Sequence, residues 1–372
     1  MNLATGKGTM TRDSHISITI LKGWRSELNQ DKMNALGFYK PGEKTAAPNF
    51  EKIEIERPTA TGRNLLVEVR AVSVNPTDLR TRDAKREDDS SLTVVGRDAA
   101  GIVVETGDDC SLFQVGDEVF YAGTSNEPGS LSEVQLVDER IVGKKPKSIG
   151  FAEAAALPLT SVTAIEALYD RLGVSRDQAD NEDKVILIIG AAGGVGSVAT
   201  QLAKLAGLTV VGTASRPESK EWALDHRADY IINHHEPFEP QLEAIGISGF
   251  HYIFCLTHVD DHMESMAKTI LPQGNICSIL PALKPLHPAL FSKSVTFAYE
   301  LMYTRSVYQT EDMIAQHHIL TQLADWVDEG KVRSTMTKHL SPLSPATLKE
   351  AYENLLTGRT IGKIVVEGPI RP

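Results

Sequence analysis

The sequence predicts an α/β protein that contains a barrel-like β unit and a doubly wound parallel sheet, and two patterns support this prediction. From Met33 to about Lys147, short β-type runs such as Leu65–Val72 alternate with turn signals, which is typical of small barrels. From about Leu157 to Ser306, strand and helix patterns alternate, which indicates parallel strands joined by crossover helices. A chain of 372 residues is long enough for two domains that each bury a core.

The composition is that of an ordinary globular protein, and it argues against several classes of partner. Hydrophobic residues make up 41% and charged residues 23% of the chain. No run approaches the ~20 apolar residues of a membrane helix, and a formal net charge of -11 disfavours a nucleic-acid or anionic membrane surface. Cys110, Cys255 and Cys277 are too few and too widely spaced for a disulfide framework. We therefore expect a cytoplasmic protein with no nucleic-acid and no membrane partner.

Residues 1–32 differ from the rest of the chain, because they mix small polar and charged residues around one short apolar patch. They lack the architecture of a signal peptide, and the acids Asp13, Glu27 and Asp31 disfavour a mitochondrial transit peptide. Met33 is a second plausible start and opens a more strand-like run. We expect residues 1–32 to be a flexible N-terminal extension with no part in the chemistry.

A glycine-rich loop follows the apolar strand pattern Val185–Ile189 and precedes a helix pattern. Glycines allow the backbone to turn sharply and approach a pyrophosphate, which then binds the unpaired N–H groups of the helix N-terminus. Ala191 replaces the first glycine of the G-x-G-x-x-G fingerprint, whereas Gly193 and Gly196 hold the other two places. We predict that Gly193, Gly194, Val195 and Gly196 bind a dinucleotide; the alternative is a tight turn without a ligand.

The residues after the next predicted strand, Thr209–Thr213, indicate which dinucleotide binds. NAD enzymes place a carboxylate there for the ribose hydroxyls, but this chain has Ser215 and Arg216, with Lys220 one helical turn later. A hydroxyl, a guanidinium and an ammonium would bind a 2′-phosphate that a carboxylate would repel. The sequence therefore predicts NADPH, with a solvated surface arginine as the alternative role of Arg216.

Several further motifs occur at the spacing of one known family; they are Asn75–Asp78, Gly96–Gly101, Gly116–Val119, Ala156–Thr160 and Ala191–Gly196. On these motifs the chain resembles, from Met33 to Val366, the quinone-oxidoreductase branch of the medium-chain dehydrogenase/reductase superfamily. The subgroup it resembles most is that of the zinc-type alcohol dehydrogenase-like proteins. The resemblance implies a GroES-like β-barrel catalytic domain, formed by residues 33–156 and 307–372, and a Rossmann NADPH-binding domain at 157–306.

The zinc ligands of that family are missing from this sequence. By motif alignment, the Cys, His and Cys positions of zinc-dependent relatives hold Asn75, Arg97 and about Leu159, and the chain has no Cys-x-x-Cys. None of these three side chains is a plausible zinc ligand, and an arginine would oppose the cation. Three histidine pairs, 234–235, 258–262 and 317–318, have no third ligand nearby in sequence. We therefore predict no metal.

A site without metal restricts the chemistry that the protein can perform. Oxidation of a simple alcohol needs a Lewis acid or a base to remove the hydroxyl proton, whereas an α,β-unsaturated carbonyl or a quinone is already electrophilic. We predict an NADPH-dependent enzyme that transfers hydride to such a small-molecule acceptor. Two alternatives remain open: an alcohol or aldehyde dehydrogenase that holds a metal in another way, and a non-catalytic nucleotide-binding protein.

The predicted catalytic residues are Asn75, Thr163 and Tyr121. The resemblance implies that Asn75 lines the nicotinamide pocket, where its amide would bind the ribose or a substrate oxygen; the alternative is a turn residue. Thr163 would contact the nicotinamide amide, unless it lies in the interior of a helix. Tyr39 and Tyr121 are candidates for the pocket wall or the proton donor, with simple packing as the alternative.

Two further residues are assigned to the adenosine end of the cofactor by the resemblance. Arg359 corresponds to a C-terminal arginine near the adenosine phosphate, and His234 falls where some members place an adenine-side tyrosine. At the substrate end, Arg80 occupies a region where family quinone reductases often have a tyrosine. This difference weakens the expectation of a quinone substrate.

An apolar cluster, Phe297, Tyr299, Met302 and Tyr303, lies near the end of the predicted Rossmann domain. In relatives this region covers the substrate cleft or approaches a subunit interface, and the alternative is core packing. A homodimer is also expected from the resemblance, because relatives pair the edge strands of their Rossmann sheets. We predict that this strand is Ile276–Ile279.

Overall fold

The computed structural model describes residues 31–370. The prediction of a flexible extension therefore falls almost entirely outside the described residues, since the first strand begins at Lys32. None of the helices between residues 31 and 370 combines the length and apolarity that crossing a bilayer would need.

The described chain forms fifteen strands and eleven α-helices. The strands are β1 Lys32–Gly37, β2 Glu51–Glu56, β3 Asn64–Ser73, β4 Asp98–Thr106, β5 Glu118–Tyr121, β6 Val134–Asp138, β7 Val142–Lys144, β8 Val185–Ile189, β9 Thr209–Thr213, β10 Tyr230–Ile232, β11 Phe250–Cys255, β12 Ile270–Ser278, β13 Thr296–Tyr299, β14 Met336–Leu340 and β15 Lys363–Glu367. The helices are α1 Pro76–Ala84, α2 Phe151–Ala155, α3 Pro158–Ile165, α4 Gly194–Leu205, α5 Pro217–Asp225, α6 Phe238–Ala244, α7 Val259–Thr269, α8 Pro288–Ser292, α9 Thr304–Tyr308, α10 Ala315–Asp328 and α11 Pro345–Leu356.

The barrel-like unit is a seven-stranded sheet that both ends of the chain build. Its strand order is β14-β15-β3-β4-β5-β7, with β6 also paired to β3. The long strand β3 bends at two irregularities in its pairing with β4, as barrel strands do where the sheet curls. The C-terminal strand β15 pairs antiparallel with the end of β3. This arrangement confirms the predicted GroES-like unit.

The second unit is a six-stranded parallel sheet in the order β10-β9-β8-β11-β12-β13. Strand order reverses between β8 and β11, and ligands of such sheets bind at this switch point, beyond the carboxyl ends of the strands. The continuous apolar run of β8 is buried, as a strand covered by helices on both faces requires. This arrangement confirms the predicted Rossmann fold.

The predicted edge strand of the parallel sheet is wrong. Residues Asn275–Ser278 of β12 pair on their outer side with Thr296–Tyr299, so β13 is the edge. This four-residue strand lies within the apolar cluster predicted from sequence. The sequence patterns missed it because four residues are too few for a clear strand pattern. A pairing between two copies at this edge of the sheet would therefore involve β13; the strand at the opposite edge is β10.

The long helix predicted at Thr310–Glu329 is shorter, because the chain first makes a separate turn. Helix α9 ends at Tyr308, the next residue Gln309 has a φ of 49° in the left-handed region, and residues 311–314 form a turn where the predicted helix was to begin. Helix α10 then begins only at Ala315. The hairpin β1–β2, which pairs in full register from Lys32 to Gly37, is not identified by the sequence patterns either.

The two units meet beside the glycine-rich loop. The Gly362 N–H donates to the Ala192 carbonyl at 2.9 Å, and Gly362 makes an isolated bridge to Gly193. Gly362 has a φ of 57°, and a Cβ there would lie 2.3 Å from the Thr335 carbonyl. Only glycine fits this contact, which holds β15 against the glycine-rich loop.

Candidate active site in the cleft between the two units

A cleft of about 920 Å³ runs between the barrel unit and the carboxyl edge of the parallel sheet. Its walls come from the start of α1, the start of α3, the glycine-rich loop, the residues after β9, β10 and β11, and the approach to β15. Eight of the nine residues predicted to bind the cofactor line it; these are Gly193, Gly194, Val195, Gly196, Ser215, Arg216, His234 and Arg359.

The glycine-rich loop presents the N-terminus of α4 to this cleft. Gly193 is the residue before the helix, and the N–H groups of the first turn have no partner within the helix. A Cβ at Gly196 would lie 2.3 Å from the Gly190 carbonyl, so this position must be glycine. A Cβ at Gly193 would meet only that same carbonyl, at 3.5 Å, and would otherwise take up space in the cleft. The loop thus offers free donors and close backbone approach to an anion.

One end of the cleft carries cationic and hydroxyl groups. Arg216 precedes α5, and its Nη2 donates to the Arg359 carbonyl at 2.9 Å. Ser215 lies beside it on the cleft wall. Lys220 does not line the cleft, because it follows the lining residue Ser219 by one position and the helix turns it toward solvent. The structure therefore brings Ser215 and Arg216 together at this end and leaves Lys220 outside.

Four histidines converge near the same end, although they follow two different strands. His234 and His235 come after β10, and His258 and His262 lie at the start of α7 after β11. The His234 ring centroid lies 4.4 Å from that of His235 and 6.3 Å from that of His262. Burial, the neighbouring imidazoles and Arg216 lower the pKa of His234 to about 4. This imidazole is therefore neutral at pH 7.

A buried polar cluster forms the floor of the other end. The Lys363 ammonium lies 3.0 Å from Asp98 Oδ2 and 3.1 Å from the Val74 carbonyl, and it also donates to Asn75 Oδ1. Asp98 is fully buried and Lys363 is 4% exposed. The three N–H bonds of the ammonium thus have three acceptors, and the ion pair is hydrogen-bonded as a buried charge requires.

Asn75 is held rigidly within this cluster. Its Nδ2 donates to the Ser73 carbonyl at 3.0 Å and to Asp98 Oδ2 at 2.9 Å, while Oδ1 accepts from Lys363. Both amide hydrogens are therefore committed inside the protein, and only Oδ1 retains spare hydrogen-bonding capacity. The predicted donation from this amide to a ribose or a substrate oxygen does not fit the geometry.

The three positions that correspond to zinc ligands do not fit a zinc ion. Asn75 faces the Lys363 ammonium, and Leu159 contributes its backbone N–H to Asp98 Oδ1 at 2.7 Å. Arg97 is buried, and its guanidinium donates to the carbonyls of Thr124 and Glu127. Two fixed cations and an apolar side chain oppose a dication. Among residues 31–370, no group of three His, Cys, Asp or Glu side chains is arranged to hold a metal, the histidines of the cleft included.

Two predicted catalytic residues lie off the cleft. Thr163 donates its hydroxyl to the Leu159 carbonyl at 2.7 Å, which is the bond of a threonine in a helix interior. Tyr121 is completely buried in the barrel core, and this burial raises the pKa of its phenol. A phenol without access to the cleft cannot donate a proton there. Tyr39 is exposed and does not line the cleft either.

The residues of the apolar cluster near β13 do not line the cleft themselves, although the Tyr303 phenol lies close to Thr77, which does. Met302 and Tyr303 are buried, whereas Tyr299 is 52% exposed at the edge strand. None of the four residues Phe297, Tyr299, Met302 and Tyr303 lines the cavity, and Ile279 provides the apolar wall from this side of the sheet. The burial of Met302 and Tyr303 therefore supports core packing for these two residues over a role as a cover for the cleft.

Sequence patterns missed Lys363 and Asp98, which organise the floor of the cleft. Lys363 opens the buried strand β15 immediately before the apolar run Ile364–Val366. A lysine is almost never fully buried unless it is paired. A lysine at the start of a buried strand was therefore the sequence signal for a buried ion pair. Its partner Asp98 is 265 residues away in sequence, and no local pattern connects the two.

Comparisons with known proteins agree with this architecture. Residues 62–166 match the family model described as alcohol dehydrogenase GroES-like domain, and residues 226–366 match that described as zinc-binding dehydrogenase. A zinc-type alcohol dehydrogenase-like protein from Staphylococcus epidermidis is 39% identical over 90% of this chain and 99% of its own length. A chloroplast envelope quinone oxidoreductase homolog from Arabidopsis thaliana is 28% identical over 90% of this chain and 98% of its own.

A solved structure shows the same relationship. The crystal structure of a putative zinc-dependent alcohol dehydrogenase protein from Rhizobium etli superimposes with a TM-score of 0.86 and 44% sequence identity. The match covers 91% of this chain and 98% of that one. Both units of the fold are therefore shared with it.

Proposed function

This chain belongs to the medium-chain dehydrogenase/reductase superfamily of oxidoreductases, and we propose that it reduces a quinone or an α,β-unsaturated carbonyl with NADPH, without a metal. The observation that carries this proposal is the floor of the cleft. There the Lys363 ammonium, paired with Asp98, contacts Asn75, which by motif alignment takes the place of a zinc ligand of zinc-dependent relatives. Substrates that need no Lewis acid suit such a site.

The cleft has the features that an NADPH molecule requires. The α4 N-terminus offers unpaired N–H groups to a pyrophosphate, and Ser215, Arg216 and Arg359 offer a hydroxyl and two guanidinium groups for the 2′-phosphate. No acidic side chain follows β9 directly, where NAD enzymes place a carboxylate. NADPH, when bound, would supply a hydride from C4 of its nicotinamide ring.

Reduction of an enone in this site would need little from the protein beyond position and electrostatics. The acceptor gains the hydride at its β-carbon, the electron pair of the double bond moves to the carbonyl oxygen, and a proton from water completes the saturated ketone. The Lys363 ammonium lies at this end of the cleft, but its three hydrogens are taken by Asp98, Asn75 and the Val74 carbonyl, so it donates none to the acceptor. The apolar side chains of Val74, Leu159 and Ile279 exclude water from the same end of the cleft.

The proposal is tested by offering the purified protein, dialysed against a chelator, a panel of enones, quinones and simple alcohols. We expect NADPH oxidation with enones or quinones at a rate that dialysis and added Zn²⁺ leave unchanged. A zinc-type alcohol dehydrogenase would instead oxidise simple alcohols and lose that activity with its metal. Metal analysis of untagged protein is the matched control. Chelator-sensitive alcohol oxidation without enone or quinone reduction would contradict the proposal.

The low pKa of His234, at the adenosine end of the cleft, predicts that folding stability and the stabilisation by NADPH depend on pH. The pKa of His234 in the folded state, about 4, lies below the ordinary value of 6.5. As the pH falls, the unfolded state therefore takes up this proton first, and folding stability decreases between about pH 6.5 and pH 4. A 2′-phosphate beside the imidazole favours its protonated form. NADPH should therefore raise the melting temperature more at about pH 5.5 than at about pH 7.5.

Thermal melts with NADPH and with NADH at the two pH values measure this effect. NADH lacks the 2′-phosphate, so its stabilisation should show no such increase at the lower pH. His234→Asn should remove most of the difference between the two pH values, while His318→Asn, outside the cleft, serves as the control. An equal pH response with both nucleotides would show that this histidine does not face the phosphate.

A further inference from the structure

We propose that the acceptor carries an anionic group, such as a carboxylate, and that Arg80 binds it. This inference rests on the proposed function and names the substrate class of the same site. It starts from the charges that line the cleft. The cationic side chains are Arg80, Arg216, Arg359, Lys363 and the histidines, and the only acid in the lining is Asp261, beside His258 and His262.

Most of these cations already have a role. Lys363 is neutralised by Asp98 and has no spare hydrogen. Arg216 is hydrogen-bonded to the Arg359 carbonyl, and both lie at the adenosine end with Ser215. Arg80 is left over. It belongs to the opposite end, because it shares α1 with Pro76 and Thr77, and α1 begins directly after Asn75.

The position of Arg80 on its helix directs it to the substrate side. Pro76 and Thr77 precede it by four and three residues, so all three share one helical face, and all three line the cleft. Outside the backbone hydrogen bonds of α1, no residue in the range 31–370 forms a hydrogen bond or an ion pair with the Arg80 guanidinium. An arginine without a partner, at the mouth of a site walled by Val74, Leu159 and Ile279, would bind an anion that the rest of this end cannot hold.

The neighbouring arginines show that this freedom is specific to Arg80. Arg82 is buried and donates to the carbonyls of Lys44 and Ala46, and it also pairs with Asp83. Arg86 pairs with Asp88 in solvent. Asp83 and Asp88 are thus taken by arginines with structural or surface roles, and neither neutralises Arg80. Because Arg80 is exposed, its replacement should not impair folding.

The test compares two substrates that differ only in charge. The first is an enone with a terminal carboxylate a few methylenes from the double bond, and the second is its methyl ester. With wild-type protein and NADPH, kcat/KM should favour the acid over the ester. Arg80→Gln should lower the acid-to-ester ratio about tenfold, the scale of one charge-assisted hydrogen bond. Arg80→Lys should retain part of the preference, and Arg80→Glu should reverse it. Arg86→Gln removes the same charge at a position that does not line the cleft, and it should leave the acid-to-ester ratio unchanged.

A binding measurement keeps this inference distinct from the proposed function. The saturated acid, titrated calorimetrically into protein with NADP⁺, should bind about tenfold more weakly to Arg80→Gln than to wild type. If neither the acid nor the ester is reduced, the proposed function fails, and the titration still decides the role of Arg80. If both are reduced with a ratio that is the same in wild type, Arg80→Gln and Arg86→Gln, the anion site is refuted while the reductase stands.

Discussion

Replacing Lys363 with methionine is expected to lower the free energy of unfolding by about 3–5 kcal/mol. Methionine preserves most of the apolar stem but removes the ammonium, so the Asp98 carboxylate remains buried with only the Asn75 amide and the Leu159 N–H as partners. Asn75 also loses the cation that its Oδ1 contacts. Urea denaturation at neutral pH, monitored by tryptophan fluorescence, measures the change.

A second substitution separates the charge from the packing. Asp98→Asn removes the uncompensated carboxylate, so the double variant Lys363→Met, Asp98→Asn should recover much of the lost stability. Lys338→Met, on the neighbouring strand β14 and at the surface, is the control for loss of a lysine. If Lys363→Met unfolds within about 0.5 kcal/mol of wild type, the ammonium does not neutralise a buried charge.

Arg216→Ala is expected to weaken NADPH binding about ten- to hundredfold, because a charge-assisted contact to the 2′-phosphate is lost. NADH lacks that phosphate, so its dissociation constant should change by less than about twofold. Calorimetric titration of each nucleotide into wild type and variant measures both. The same substitution also breaks the bond from Arg216 Nη2 to the Arg359 carbonyl, but that loss affects both nucleotides equally.

Lys220→Ala is the matched control for this experiment. Lys220 lies four residues later on the same helix start, carries the same charge and does not line the cleft. Its removal should leave the NADPH dissociation constant within about twofold of wild type, since an exposed charge at a distance is screened. Equal affinities of wild type for NADPH and NADH would contradict the assignment of the cofactor.

The side of the cleft that the glycine-rich loop forms was predictable because its signals are local. A β-branched strand, a glycine-rich turn and a helix follow one another within twenty residues, and the residues after β9 lie at the same sheet edge by the geometry of parallel strands. For this reason Gly193–Gly196, Ser215 and Arg216 line the cleft as expected. Lys220 does not, because a shift of one position along a helix turns a side chain by about 100°.

The side of the cleft that the barrel unit forms was harder to predict because its contacts join residues far apart in the sequence. Lys363 meets Asn75 and Asp98 only after β15 returns to β3, and no spacing rule links the two ends of a chain. The side chains of Thr163 and Tyr121 are held inside the protein by packing and hydrogen bonding that sequence patterns do not contain. The four histidines could have been grouped, since both pairs follow parallel strands whose carboxyl ends share one edge.

The central claim is direct hydride transfer to an electron-poor carbon without a metal. Its most direct test uses NADPH that carries deuterium at both C4 positions, chelator-treated protein and a neutral enone, with the product examined by nuclear magnetic resonance. We predict one deuterium at the β-carbon of the saturated ketone and a proton from water at the α-carbon. Deuterium at neither carbon, or transfer to the carbonyl carbon that appears only when Zn²⁺ is restored, would contradict the account.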